Sequence, residues 1–416
     1  MLKKNFIGFV GLSHLGLNYL AASAQKKFRV IGVDSDKKLI SDLDILKIPF
    51  SEPGLSNILR KNRKKIEFSS DFKRLKKCKI IFISQDVDTS SRGESNLNQI
   101  YKLIFKTKKY IQKKSIMVIL SQLRPGFMRK IKFDRARLFY QIETLIFGKG
   151  VLRALSPERI IIGCYDKNKD LEKSYRNYLL KFKCPIIKMN YESAELTKIA
   201  INIFLASSVT TTNVLAETCK KIGANWNEIK PALHLDARIG PKAYLRPGLG
   251  ISGGNIERDI SSLKNLISKD LNLKKFTTTL INNSRYMSTW VLRQLINEKV
   301  YKNKKNKISI LGLSYKEDTN SIKNSPSIKL ISKLKKNRFL KVYDPKVTLK
   351  INMKNCFQIS SINQTLKGTK ILIIMTPWKI FEKIRIDKSV KLVIDPFNVL
   401  KMSNKKNLNY KYYTIG

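Results

Sequence analysis

The chain is 416 residues long, 43% hydrophobic, with 82 Lys and Arg against 31 Asp and Glu and a formal net charge of +51. Such a length holds two or three domains, each able to bury a core. Cysteines at 78, 164, 184, 219 and 356 are scattered without a CxxC pair, and His14 and His234 are the only histidines, which argues against a disulfide framework, a zinc site, a histidine triad or a multi-histidine metal centre. The basic excess fits either a polyanionic partner or lysine-rich solvated faces. Runs such as KNRKK and KNKKNK recur along the whole length and form no single arm, so nucleic acid is not the expected partner. Small anionic substrates are attracted in either case.

MLKK followed by NFIGFVGLSHLGLNYLAASA imitates a secretion signal, but Ser13, His14 and Asn18 break its apolar core. Residues 5–10 instead predict a buried strand. A glycine turn, a helix to about Ala24 and the strand FRVIGVD complete a βαβ unit of about 30 residues. The turn, GFVGLSHLG, is a dinucleotide fingerprint, Gly11-x-Ser13-x-x-Gly16, with serine at the middle glycine. Gly11 permits the tight turn and Gly16 a close approach of helix to strand. A pyrophosphate would sit on the helix N-terminal amides around Ser13, His14 and Leu15. Asp34 closes the second strand, where a carboxylate accepts hydrogen bonds from a ribose diol and repels a 2′-phosphate, favouring NAD over NADP.

KIIFIS (79–84), SIMVIL (115–120) and RIIIGC (159–164) predict further buried strands with helices between most of them, hence a parallel, doubly wound sheet. No apolar run approaches the ~20 residues that span a bilayer. From Ser193 the spacing changes to that of a long helix ending at Gly223, which carries Lys198 and Asn202 on one face. Lys198 could snorkel at a helix edge; beside an asparagine in a cleft it could handle a hydroxyl proton and an oxyanion. Helical sequence continues to about Val300, interrupted by RPGLGISGGNIERDI. There Gly248, Gly250, Gly253 and Gly254 let a backbone wrap a ligand, and Arg258-Asp259 begins the next helix. After KNKKNK, the runs KISILGLSY, FLKVYDP, KILIIMT and VKLVIDP restore strand–helix alternation. Lys316 and Lys323, in GLSYKEDTNSIKNSP, could reach phosphates or stand in solvent. The chain thus divides into 1–190, a helical 191–302, and 303–416.

These segments, with EPGL at Glu52 to Leu55, AELTKIAINIFLA, DARIGPKAYLRPGLG, VYDP and TPWKIF, resemble the UDP-glucose/GDP-mannose dehydrogenase family over nearly the whole chain. The resemblance implies two Rossmann-like doubly wound parallel-sheet domains joined by a central helical domain. It also implies NAD as cofactor, a nucleotide-sugar substrate with UDP-hexose foremost, a role in polysaccharide precursor synthesis, a homodimer through the long helix, and a cytoplasmic location without membrane attachment. Carried over residue by residue, the family's lysine and asparagine fall on Lys198 and Asn202, its loop aspartate on Asp259, its glutamate on Glu143 in preference to Glu158, and its phosphate-reaching arginine on Arg238. Its sugar-holding lysine falls on Lys316 and its substrate loop on Gly250. Thr89 lies in the segment matching its "GTP" loop.

The departures are specific. That "GTP" segment reads SQDVDT, a water-positioning threonine is Gln122, an acid near the nicotinamide is Phe147, and an arginine approaching the cofactor is Lys323. The family's "GGSC" reads Gly253-Gly254-Asn255, one residue shorter before the nucleophile, so an amide stands where relatives have a thiol. An amide can stabilise an oxyanion but cannot attack and depart. The expectation is therefore a two-electron oxidation to an aldehyde or ketone, or direct oxidation of the aldehyde hydrate, without a covalent acyl stage. A nucleotide-sugar-binding homologue without turnover is the alternative.

Overall fold

The computed structural model describes residues 6–87, 95–335, 338–349, 355–401 and 409–416, in two compact units, Met1–Ala200 and Ile201–Gly416. In the first, β1 (Phe6–Val10), β2 (Val30–Val33), β3 (Ile66–Ser69), β4 (Cys78–Ile83), β5 (Ile116–Ile119), β6 (Leu138–Gln141), β7 (Ile160–Cys164) and β8 (Ile186–Asn190) form one sheet in the order β3-β2-β1-β4-β5-β6-β7-β8. The central strands are apolar on both faces because both faces are covered. Phe9 and Phe82 stack at 5.0 Å in one cluster with Leu17 and Leu20, while Val10, Ile83 and Ile119 point into the other.

Six neighbouring pairs are parallel, but β6 and β7 run antiparallel, with Tyr140 opposite Gly163 and Gln141 opposite Ile162. The expected parallel, doubly wound sheet is present, with this one pair reversed. A parallel crossover must traverse a whole face. Residues 142–159 are instead held at the edge where β6 ends, where Glu52 accepts the N–H groups of Gly148 (3.2 Å) and Gly150 (2.8 Å).

The long helix, Tyr191–Ile222, carries the chain across the boundary between the units. By length and composition alone it could cross a bilayer, a test that the core helix of a soluble protein also passes, and Asn202, Ser207, Ser208, Thr210, Thr211, Thr212 and Asn213 interrupt its apolar sequence. Its Glu195 is fully buried and accepts N–H groups from Gly126 (2.6 Å) and Met128 (2.8 Å).

In the second unit, helices Trp226–Leu235, Asn255–Leu266, Leu271–Ser288 and Trp290–Ile296 precede a six-stranded parallel sheet. Its strands are β9 (Ile308–Leu311), β10 (Leu340–Tyr343), β11 (Cys356–Gln358), β12 (Ile371–Ile374), β13 (Leu392–Ile394) and β14 (Lys411–Tyr413), in the order β11-β10-β9-β12-β13-β14. The helix expected from Arg258-Asp259 starts earlier, at Asn255. Gly253 at φ +85° reverses the chain and Gly254 forms the N-cap.

Candidate active site

The glycine turn has the geometry its sequence requires. Gly11 sits at φ +89°, and a Cβ on Gly16 would lie 2.1 Å from the Gly11 carbonyl oxygen, so only glycine lets the helix His14–Gln25 start this close to β1. Ser13 is the N-cap but does not cap the helix with its side chain; its Oγ donates to the Ser84 carbonyl. At the end of β2 the half-buried Asp34 accepts the N–H of Leu12 (2.9 Å) on Oδ2 and that of Asp36 (3.0 Å) on Oδ1. A tight turn, a helix N-terminus and a partly open carboxylate at the second strand fit an adenine dinucleotide. One feature opposes the fit: the Asp86 carboxylate accepts the N–H of Leu15 at 3.3 Å. Thr89 lies outside the described residues.

Beside the turn, His14 Nε2 is 2.7 Å from Glu52 Oε2, both residues are buried, and the imidazole stacks on Phe147 at 4.2 Å. Burial alone would raise the Glu52 pKa. The hydrogen bonds from His14 and from the Gly150 and Gly148 amides nevertheless leave it below the usual carboxylate range. Sequence reasoning quoted EPGL but missed this pair, because 38 residues separate its members. Phe147, which replaces an acid in the family pattern, packs against the imidazole.

Lys198 does not snorkel. It is buried, with Nζ 2.8 Å from Glu143 Oε1 and 3.1 Å from the Glu143 carbonyl oxygen. Glu158, the alternative match, is on the surface with Arg153 and Arg159. One turn further along the same helix, in the second unit, Asn202 donates to Asp259 Oδ2 at 2.5 Å. Arg258 Nε lies 3.4 Å from Asp259 Oδ1. All three residues are buried, and Arg258 Nη2 finds no acceptor. Buried charges persist when paired and hydrogen-bonded.

The glycine-rich loop is pinned by named contacts. Gly248 N donates to Asn213 Oδ1 (2.8 Å), Ile251 N to Ser284 Oγ (2.9 Å), and Ser252 Oγ to the Tyr315 carbonyl (3.2 Å). Gly250, at φ +81°, lies so close to Ser284 that a Cβ would meet its carbonyl oxygen at 2.6 Å. Asn255 is the first residue of the helix and is exposed. Lys323 extends along Gly254, and Lys316 Nζ stands over the Tyr315 ring at 5.8 Å. Arg238 is turned to solvent, its side chain 88% exposed and paired with Asp236. All five cysteines are free, and none lies in the loop.

A dinucleotide turn followed along the chain by a buried lysine–glutamate pair and a buried asparagine–aspartate pair defines a pyridine-nucleotide-dependent oxidoreductase. The NAD-binding, central and UDP-binding domains of one family, described as UDP-glucose/GDP-mannose dehydrogenase, match residues 5–179, 192–285 and 309–402 respectively. The chain is 28% identical to a UDP-glucose 6-dehydrogenase of Rickettsia prowazekii over 434 aligned positions, covering 99% of each, and 25% identical to a UDP-glucose 6-dehydrogenase of Bacillus subtilis. Its fold matches a UDP-glucose dehydrogenase from Pyrobaculum islandicum with a TM-score of 0.86 at 21% identity, covering 100% and 99% of the two chains. A UDP-ManNAc dehydrogenase structure from Pyrococcus horikoshii gives 0.85 at 20%, covering 99% of both. The chain belongs to the UDP-glucose/GDP-mannose dehydrogenase family and is an NAD-dependent nucleotide-sugar dehydrogenase.

Proposed function

We propose that this enzyme oxidises a UDP-hexose without a covalent acyl stage. The observation that carries the reading is Asn255, an amide at the family's cysteine position, with no thiol elsewhere in the glycine-rich loop. NAD, when bound, accepts the hydride from the carbon bearing the reacting hydroxyl. Gly11, Ser13, His14, Leu15, Gly16 and Asp34 hold the cofactor, and Lys323 serves it from the C-terminal sequence. Asp259, positioned by Asn202 and Arg258, receives the hydroxyl proton through water, while Lys198, balanced by Glu143, stabilises the oxygen as its negative charge grows. Gly250, Lys316 and Arg238 belong to the nucleotide-sugar contacts, and Asn255 donates to the carbonyl oxygen. Segments 1–190, 191–302 and 303–416 serve as cofactor, helical and nucleotide-sugar domains.

Product analysis tests this reading. One NADH per sugar and no trapped acyl-enzyme is the expected result. Two NADH without a covalent species would indicate oxidation of the hydrate. Two NADH with a covalent acyl-enzyme would overturn the reading, and no turnover across a panel of nucleotide sugars despite NAD binding would favour the binding-protein alternative.

The exposed apolar side chains Phe204 (79%) and Leu235 (86%), with Val214, Leu215 and Ile222, suit a second copy of this chain. Sedimentation should show a dimer that Phe204→Asp dissociates; a monomeric parent protein refutes it. Free thiols and soluble ligands agree with a cytoplasmic setting.

A further inference from the structure

The end of β4 places a charge over the glycine turn. The Asp86 N–H donates to Ser13 Oγ at 2.9 Å, which anchors the backbone, and its Oδ2 accepts the Leu15 N–H at 3.3 Å. Leu15 N is one of the first amides of the helix His14–Gln25, whose N-cap side chain satisfies none of them. Gln85, the preceding residue, packs on Gly11 so closely that a Cβ there would lie 2.7 Å from the Gln85 Cβ. The first residues after β4 therefore fill the concave side of the turn, and one of them brings a carboxylate to the helix dipole, where it satisfies an orphan N–H as a phosphate oxygen would.

We propose that Asp86 is a resident anion that occupies the Leu15 amide of the pyrophosphate site in the free enzyme and must turn outward before NAD binds, so that it sets cofactor affinity rather than chemistry. The inference rests on the reading of this turn as the NAD site. Two anions cannot share one small set of amides without strong repulsion. Asp86 is an exposed residue at the end of β4, although burial around its carboxylate pushes the pKa up; rotation of its side chain releases the Leu15 amide. The charged and titratable groups around it are His14 on the helix, with Glu52 as its partner, Glu143 beyond β6, and no cation held at hydrogen-bond distance among the described contacts.

The test is calorimetric titration of NAD and of ADP-ribose into the intact enzyme, the Asp86→Asn variant and the Asp86→Gly variant. Asparagine keeps the shape and an acceptor for Leu15 while removing the charge; glycine removes the side chain altogether. Both ligands should bind each variant about tenfold more tightly than the parent, with unchanged melting temperatures in the absence of ligand. Equal affinity would show that the carboxylate does not compete. Weaker binding by Asp86→Asn would make it a cofactor ligand. Either result overturns the proposal. If parent and variants all fail to bind both ligands, the NAD reading of the turn falls first.

Discussion

β1 and β9 run into the same three residues, and the outcomes differ. Gly11-Leu12-Ser13 and Gly312-Leu313-Ser314 both begin with a glycine at positive φ, +89° and +95°, and each turn is faced by an aspartate at the end of the neighbouring strand. Asp34 accepts two backbone N–H groups and stays half-buried. Asp344 is 6% exposed and saturated. Its Oδ2 accepts Leu313 N, Ser314 N and Trp378 Nε1, and its Oδ1 accepts Lys346 N and Val347 N. A helix starts one residue after the first turn's serine, at His14, whereas residues 315–325 intervene before the helix Pro326–Leu334 after the second. The shared tripeptide therefore encodes a turn, not a cofactor. Of the two turns, the first has the adjoining helix N-terminus and the carboxylate with capacity to spare that suit the adenosine ribose and pyrophosphate of a dinucleotide.

The comparison breaks most sharply at Asp344. Asp344→Ala leaves six donors, the Ser314 hydroxyl among them, without their acceptor, and urea unfolding should show a loss of about 3 kcal/mol or more. Asp34→Ala should change stability by less than about 1 kcal/mol while weakening NAD binding by about 2 kcal/mol, the worth of hydrogen bonds to a charged group. Equal destabilisation by the two substitutions, or an unchanged NAD affinity in Asp34→Ala, would erase the distinction.

The smallest expected effect sharpens the picture beside the first turn. Because the folded state holds the Glu52 pKa below that of an unfolded glutamate, its contribution is complete above the unfolded value and is lost as pH falls through the lowered folded one. Melting of the parent should therefore decline on the acid side more than that of Glu52→Gln. Parallel acid limbs would show that the His14–Glu52 pair is not coupled to folding.

What could be read in advance follows from burial. β1, β2, β4, β5, β9, β12 and β13 announce themselves as apolar runs because neighbours cover both faces. β3 (IEFS), β8 (IIKMN), β11 (CFQ) and β14 (KYY) do not, because they carry exposed or polar positions. The reversal at β6–β7 had no local signal; the connecting segment is tied through Gly148 and Gly150 to Glu52, far away in sequence. At the site, Gly11, Gly16 and Asp34 were legible because a turn has fixed spacing. The neighbours of Lys198 and Asn202 were named only through the family resemblance, as spacing cannot reveal a partner 55 or 57 residues away. Asp86 lay within a quoted segment, but only its contact with Leu15 gives it meaning.

The reversed pair β6–β7 also fixes where the long helix can deliver its lysine. β8 runs with β7 and hence against β6, so the helix that follows it directly starts beside the beginning of β6, where Tyr191 Oη donates to the Leu138 carbonyl at 2.7 Å. Seven residues later, a climb of about 10 Å, Lys198 arrives just past the other end of β6 to meet Glu143. The first two turns act as a measuring rod of the same length as the strand. One inserted residue between Tyr191 and Lys198 would swing the ammonium about 100° around the helix axis and leave Glu143 facing a different side chain.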